Sequence, residues 1–273
     1  MIDRLANLDR RILYLIIMVL IAFPLISPIG LPISVSSMVV SAYEVVDSLQ
    51  EGDVVVWSFD YTVGGGPDCH PQTEAVWQHL AAKNIGVVAV SFVPEGSQFS
   101  REMVTLWENE YGKVYGEDMI DVGFIAGFET GIGEFVGNPS GASATCIRGN
   151  RVADMPIMQG INDIGDFALV GAIATGAPGP FEWVRQLAGY DVDYLPGVVT
   201  VMGPQTIPYY ESGQAVGLLM GLRDAASYEV IMERPGMATA AMDSQSFAHL
   251  FIILLVILGN IIYFIQQRSA TDE

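Results

Sequence analysis

The chain has 273 residues, 51% of them hydrophobic and only 16% charged, with a formal net charge of −19. An ordinary soluble domain carries about 25% charged residues, so the shortfall points to lipid-facing segments. Residues 44–245 hold 27 of the 31 acidic groups and 8 of the 12 basic ones; without clustered Lys and Arg to neutralise phosphates, nucleic acid is excluded as a partner, and such an acidic surface avoids anionic headgroups.

No charged residue occurs from Ile12 to Tyr43. The stretch Ile12–Phe23 is dense in Leu, Ile and Val, while Pro24, Pro28 and Pro32 interrupt its continuation. Proline removes a backbone donor and kinks or ends a helix. The pattern predicts a helix over 11–27 with an irregular exit, read either as an uncleaved anchor or as a signal peptide. The length of the apolar run and the lack of an A-x-A site favour the anchor.

Asp53–Tyr61 reads as a buried strand, with Val54, Val55 and Val56 as its β-branched core. Gly64–His70 is a glycine-rich loop and 71–83 a helix opened by Pro71, a residue suited to a first helical turn. Ile85–Phe92 is a second buried strand, Ser100–Tyr111 a helix and Met119–Ile125 a third strand. Residues 127–154 show no sustained periodicity. Phe167–Ala174 and Gly197–Met202 read as two further strands, with helices over 181–188 and 212–232. Short apolar strands alternating with amphipathic helices imply a parallel sheet covered on both faces. The expected fold is α/β, a three-layer sandwich around a mostly parallel five-stranded sheet, Rossmann-like or flavodoxin-like, flanked by N- and C-terminal transmembrane helices.

From Ser244 to Gln267 no residue carries a permanent charge, and Leu250–Ile265 is nearly continuous Leu, Ile, Val and Phe. About 20 apolar residues span a bilayer core, so a second membrane helix is expected. Arg4, Arg10 and Arg11 precede the first span and Arg268 follows the second, while the segments facing the domain lack Lys and Arg. The positive-inside rule then puts both termini in the cytoplasm. The expected layout is a cytoplasmic N-terminus over 1–11, a span with proline-rich exit over 12–35, an extracytoplasmic domain over 44–236, a second span over 244–266 and a cytoplasmic tail over 267–273.

Ligands of open parallel sheets sit beyond the strand carboxyl ends, which here are Asp60–His70, the long loop after the third strand and Gly176–Pro180 after the fourth. By that rule Asp60, Gly64, Gly65, Gly66, Asp68 and His70 form the candidate ligand site, although the glycines match neither G-x-G-x-x-G nor the P-loop pattern. Asp60, Asp68, Cys69 and His70 are too few and too loosely spaced for a zinc set, and no metal or other cofactor is expected. Nor does a nucleophile elbow occur, and no catalytic residue can be named. Cys69 and Cys146, the only cysteines, are read as a disulfide suited to an oxidising compartment, or else as two free buried thiols. On the second span, Asp243, Gln245, His249, Gly259 and Asn260 are candidates for helix–helix association, since a buried amide in lipid needs a partner and glycine permits close approach.

Leu8-Asp9-Arg10-Arg11 before the first apolar run, Ser58-Phe59-Asp60-Tyr61 ending a strand, and Met242–His249 entering the second span together resemble an uncharacterised prokaryotic family of two-span membrane proteins. The resemblance covers most of the chain and implies the same anchored α/β layout in a cell membrane. It carries no known activity. The leading expectation is a non-enzymatic subunit of a membrane assembly, with the lipid bilayer and either a second copy of itself or other membrane proteins as partners. An extracytoplasmic ligand-binding or sensor domain is the alternative, and an enzyme built on the same loops the third.

Overall fold

A computed structural model describes residues 9–271; Arg4, Leu8 and the side chain of Arg268 lie outside the described residues. The chain divides into two compact units, one running from Ile33 to Arg234, the other joining the terminal segments up to Pro32 and from Pro235.

The larger unit opens with helix α2 (Ser37–Ser48), capped at its start by the Ser36 hydroxyl; α1 (Arg10–Ile26) belongs to the terminal unit. Six strands then alternate with helices: β1 (Val54–Asp60), α3 (Gly66–Ala82), β2 (Gly86–Ser91), α4 (Gly96–Tyr111), β3 (Met119–Phe124), α5 (Glu129–Gly137), β4 (Leu169–Ala174), α6 (Pro180–Leu187), β5 (Asp193–Val198), α7 (Gly203–Glu211), β6 (Leu219–Met220) and α8 (Gly221–Ile231). The strands form one sheet in the order β3-β2-β1-β4-β5-β6, every pairing parallel. This is the Rossmann-like order. The sheet therefore has six strands, not the expected five. The additional strand, β6, has two residues and lies inside the segment read as a helix over 212–232; two residues are too few to register a period.

Side chains alternate across the sheet. Trp57 and Phe59 of β1 join one apolar core with Trp77, Trp107 and Tyr228. Val56 joins the other core with Val88, Phe92, Trp183 and Tyr194. Each such buried apolar side chain contributes about 1.5–3 kcal/mol over exposure. Gly171 of β4 pairs with Trp57, and it is glycine because a Cβ there would stand 2.1 Å from Trp57 Cε3. The Trp57 indole donates to the Thr73 hydroxyl of α3 at 3.3 Å.

In the terminal unit, α1 (Arg10–Ile26) packs on α9 (Met237–Thr271). Leu13, Ile17, Leu20 and Pro24 are the less exposed residues of α1, and their spacing is that of one helix face. Ser244, Ala248, Phe251 and Leu255 form the matching stripe on α9. The Met237–Gln267 stretch has 31 residues, and its most apolar 18-residue window has a mean hydropathy of 2.5 and no fully buried residue. At 1.5 Å per residue the stretch is about 46 Å long, so by length and composition it can cross a core of about 30 Å. Helix α1 has 17 residues with Pro24 inside, about 26 Å, and falls short of that length.

Candidate functional site

All helix N-termini that follow a strand gather at the carboxyl edge of the sheet, and the order reverses between β1 and β4, where a crevice opens in folds of this order. Asp60 ends β1 beside Ala174 of β4 and is fully buried. Its carboxylate accepts hydrogen bonds from the Phe92 N–H at 2.8 Å, the Ser58 hydroxyl at 2.8 Å and the Trp183 indole at 2.9 Å. Burial pushes the carboxyl up to about 6, against the pull of those hydrogen bonds. Asp60 thus clamps β1 to the exit of β2 and to α6.

The glycine run makes the turn into α3. A Cβ on Gly65 would lie 1.9 Å from Thr175 Cγ2, and one on Gly66 would lie 3.4 Å from Phe99 Cζ. Glycine is needed at 65 because the chain passes directly over Thr175. The Thr62 N–H donates to the Thr175 hydroxyl at 3.2 Å and the Val63 N–H to the Glu95 carboxylate at 2.8 Å. The place that receives phosphate in many such turns is next to an internal carboxylate here. The pattern recurs along the edge: Glu182 accepts from the Gly179 N–H at 2.9 Å, Asp224 from the Met220 N–H at 3.0 Å, and Asp68 from the Thr200 N–H and hydroxyl at 3.3 Å each. Carboxylates favour these dipole ends, and their charge disfavours an incoming anion.

The six candidate ligand residues do not converge. His70 lies 3.0 Å from the Tyr61 hydroxyl and 3.9 Å from the Glu102 carboxylate, on the face of the sheet opposite Asp60. Burial lowers the His70 pKa, and Glu102 partly offsets this. Among the described residues, no three His, Cys, Asp or Glu side chains group to hold a metal. The expected disulfide is absent: Cys69 and Cys146 are free and buried. They belong to the cores on opposite faces of the sheet, so the sheet separates their sulfurs. Burial also pushes the Cys69 thiol far above its ordinary range.

A cavity at this edge lies instead over β4 and β5. It has a volume of about 430 Å³ and is lined by Thr175, Phe181, Glu182, Gln205, Thr206 and Tyr209 among others. Of the sequence-derived segments only the 176–180 loop contributes. Helix α7 and the residue before it supply Met202, Gln205, Thr206 and Tyr209, spaced i, i+3, i+4, i+7 on one face. Gly203-Pro204 marks the helix start by proline at the first turn, the one signal in the sequence for this wall. The segments that follow the strands at the same edge also carry exposed apolar side chains: Val63 after β1, Phe128 after β3, Phe181 in the first turn of α6, and Val201 after β5, the last 85% exposed. Phe128 has φ 51°, a strained conformation for a bulky residue.

The polar residues of α9 separate into two kinds. Asp243 is fully buried and its carboxylate accepts the N–H groups of Ile29 at 2.7 Å, Gly30 at 2.8 Å and Leu31 at 3.0 Å. The Ser244 hydroxyl donates to the Ile21 carbonyl at 2.9 Å. These two residues tie the terminal segments of one chain together. Gln245, His249, Gly259 and Asn260 are exposed, off the stripe that meets α1. The Asn260 amide donates to the Val256 carbonyl of its own helix at 2.8 Å.

No protein-family model, curated protein or solved structure matches the chain.

Proposed function

We propose that this protein is a membrane-anchored interaction subunit, whose terminal helices hold the α/β unit at a bilayer and whose exposed apolar surfaces engage a second copy or another membrane protein. The observation that carries it is the Met237–Gln267 stretch, whose most apolar 18-residue window has a mean hydropathy of 2.5 and holds no fully buried residue. Exposed apolar area of this extent marks membrane or protein contact. The Asp243 clamp supports α1 and α9 acting as a pair, with α1 as the second, shorter anchor. Gly259 and Asn260, exposed on α9, suit a contact with a neighbouring helix in lipid. The exposed Val63, Phe128, Phe181 and Val201 suit a contact outside it. With Arg10 and Arg11 at the start of α1, both termini belong on the cytoplasmic side and the α/β unit on the other. The layout is that of the two-span prokaryotic family the sequence resembles.

Extraction of membranes with alkaline carbonate tests the reading. The full chain should stay with the membrane pellet, and its appearance in the supernatant would refute membrane anchoring.

A further inference from the structure

We propose that the cavity over β4 and β5 binds a small uncharged polyhydroxylated molecule, of the saccharide or polyol class. The inference goes beyond the anchoring reading and does not depend on it. The volume, about 430 Å³, lies within the usual range for small-ligand sites.

Charge chemistry narrows the class. No Lys or Arg is among the lining residues. Of the two dipole ends in the wall, that of α7 lacks one N–H donor at Pro204, and that of α6 is already capped by Glu182 through the Gly179 N–H at 2.9 Å. An anion would meet that carboxylate. A cation fares no better, because its natural partners are engaged within the chain: the Arg185 guanidinium sits 4.0 Å over the Phe181 ring and 3.8 Å from Glu182 Oε1. Arg185 also forms hydrogen bonds to Glu129.

What remains is neutral and polar on an apolar frame. Gln205 offers an amide donor and acceptor, and Tyr209 a hydroxyl. The Thr206 hydroxyl donates to the Met202 carbonyl at 2.9 Å and so keeps its lone pairs for a ligand donor. Met202 and Phe181 give apolar surface for C–H faces. Convergent donors and acceptors over apolar carbon match a molecule whose hydroxyls ring an uncharged carbon skeleton.

The test is calorimetric titration of the full chain in lipid nanodiscs with glucose, maltose and myo-inositol, beside inorganic phosphate and choline as charged probes. At least one neutral probe should bind at millimolar concentration, and Gln205→Ala, which removes an exposed side chain, should weaken it by about fivefold or more. Tyr209→Phe should weaken it in the same direction. Binding of phosphate or choline in place of the neutral probes, neutral binding indifferent to Gln205→Ala, or no neutral binding would each overturn the assignment. Carbonate-resistant membrane retention of Gln205→Ala reports the anchoring separately.

Discussion

Asp243 carries three backbone hydrogen bonds on one carboxylate, and its replacement gives a graded outcome. Oδ2 accepts from Ile29 and Gly30, and Oδ1 from Leu31. In Asp243→Asn one oxygen becomes an amide nitrogen, which cannot accept. If the remaining oxygen serves Ile29 and Gly30, the Leu31 N–H faces a second donor. A hydrogen bond to a charged group contributes about 1.5–3 kcal/mol, so exchange at that amide should quicken by about 10- to 150-fold. In Asp243→Ala all three N–H groups lose their acceptor, and the segment between Pro28 and Pro32 should lose its protection altogether. Hydrogen–deuterium exchange of the full chain in detergent, read on peptides covering 29–32, measures this. Gln245→Ala, the exposed neighbour, should leave exchange unchanged. Equal protection of Ile29, Gly30 and Leu31 in wild type and Asp243→Ala would refute the clamp.

Three other outcomes rest on the buried interior. Asp60 and Asp121 both have carboxyls raised from 3.8 to about 6. The folded state therefore holds protons that the unfolded state releases, and stability present below about pH 4 is lost as pH rises to about 6, about 3 kcal/mol for each group. His70 and His79, lowered by burial, act in the opposite direction below 6.5; the Asp60 part is isolated by thermal unfolding from pH 4 to 7 with Asp60→Asn, which should flatten the decline. Cys69 and Cys146 should resist alkylation in the native chain, react as two thiols after denaturation without reductant, and show no reductant-dependent mobility on gels. Gly171→Ala would place a methyl 2.1 Å from Trp57 Cε3, an overpacking cost of about 1–3 kcal/mol, visible as a lower melting temperature.

The α/β character is legible because Val54–Val56, Val87–Val90 and Leu169–Ile173 are short buried runs between helical periods, and burial on both faces leaves that mark in a parallel strand. Strand β5 reads four residues late in the sequence: Asp193 and Pro196 dilute the apolar signal of its actual span, and the Val199–Met202 run beyond it supplies a false one. Helix α2 is hidden because its uncharged Ser37–Ala42 half continues the apolar run of the anchor. Helix α7 contains Pro208 in its interior, which argues locally against a helix while tertiary packing retains it. The cysteine pairing fails for a spatial reason: loops at one edge of a sheet can lead to opposite faces, and spacing along the chain does not record which. Asp243 stands out in the sequence as a polar residue at a membrane helix, yet its partners are backbone N–H groups more than 200 positions away, a relation no sequence period encodes. The cavity walls are half legible, through the 176–180 loop and not through α7.

The interaction role is tested most directly by the mass of the full chain, extracted from its own membrane into nanodiscs and measured by native mass spectrometry. A particle holding two or more copies of the 29.5 kDa chain, or one copy with a second membrane protein, is the expected result. A single 29.5 kDa chain with no companion would contradict the assignment of this protein as a membrane-anchored interaction subunit.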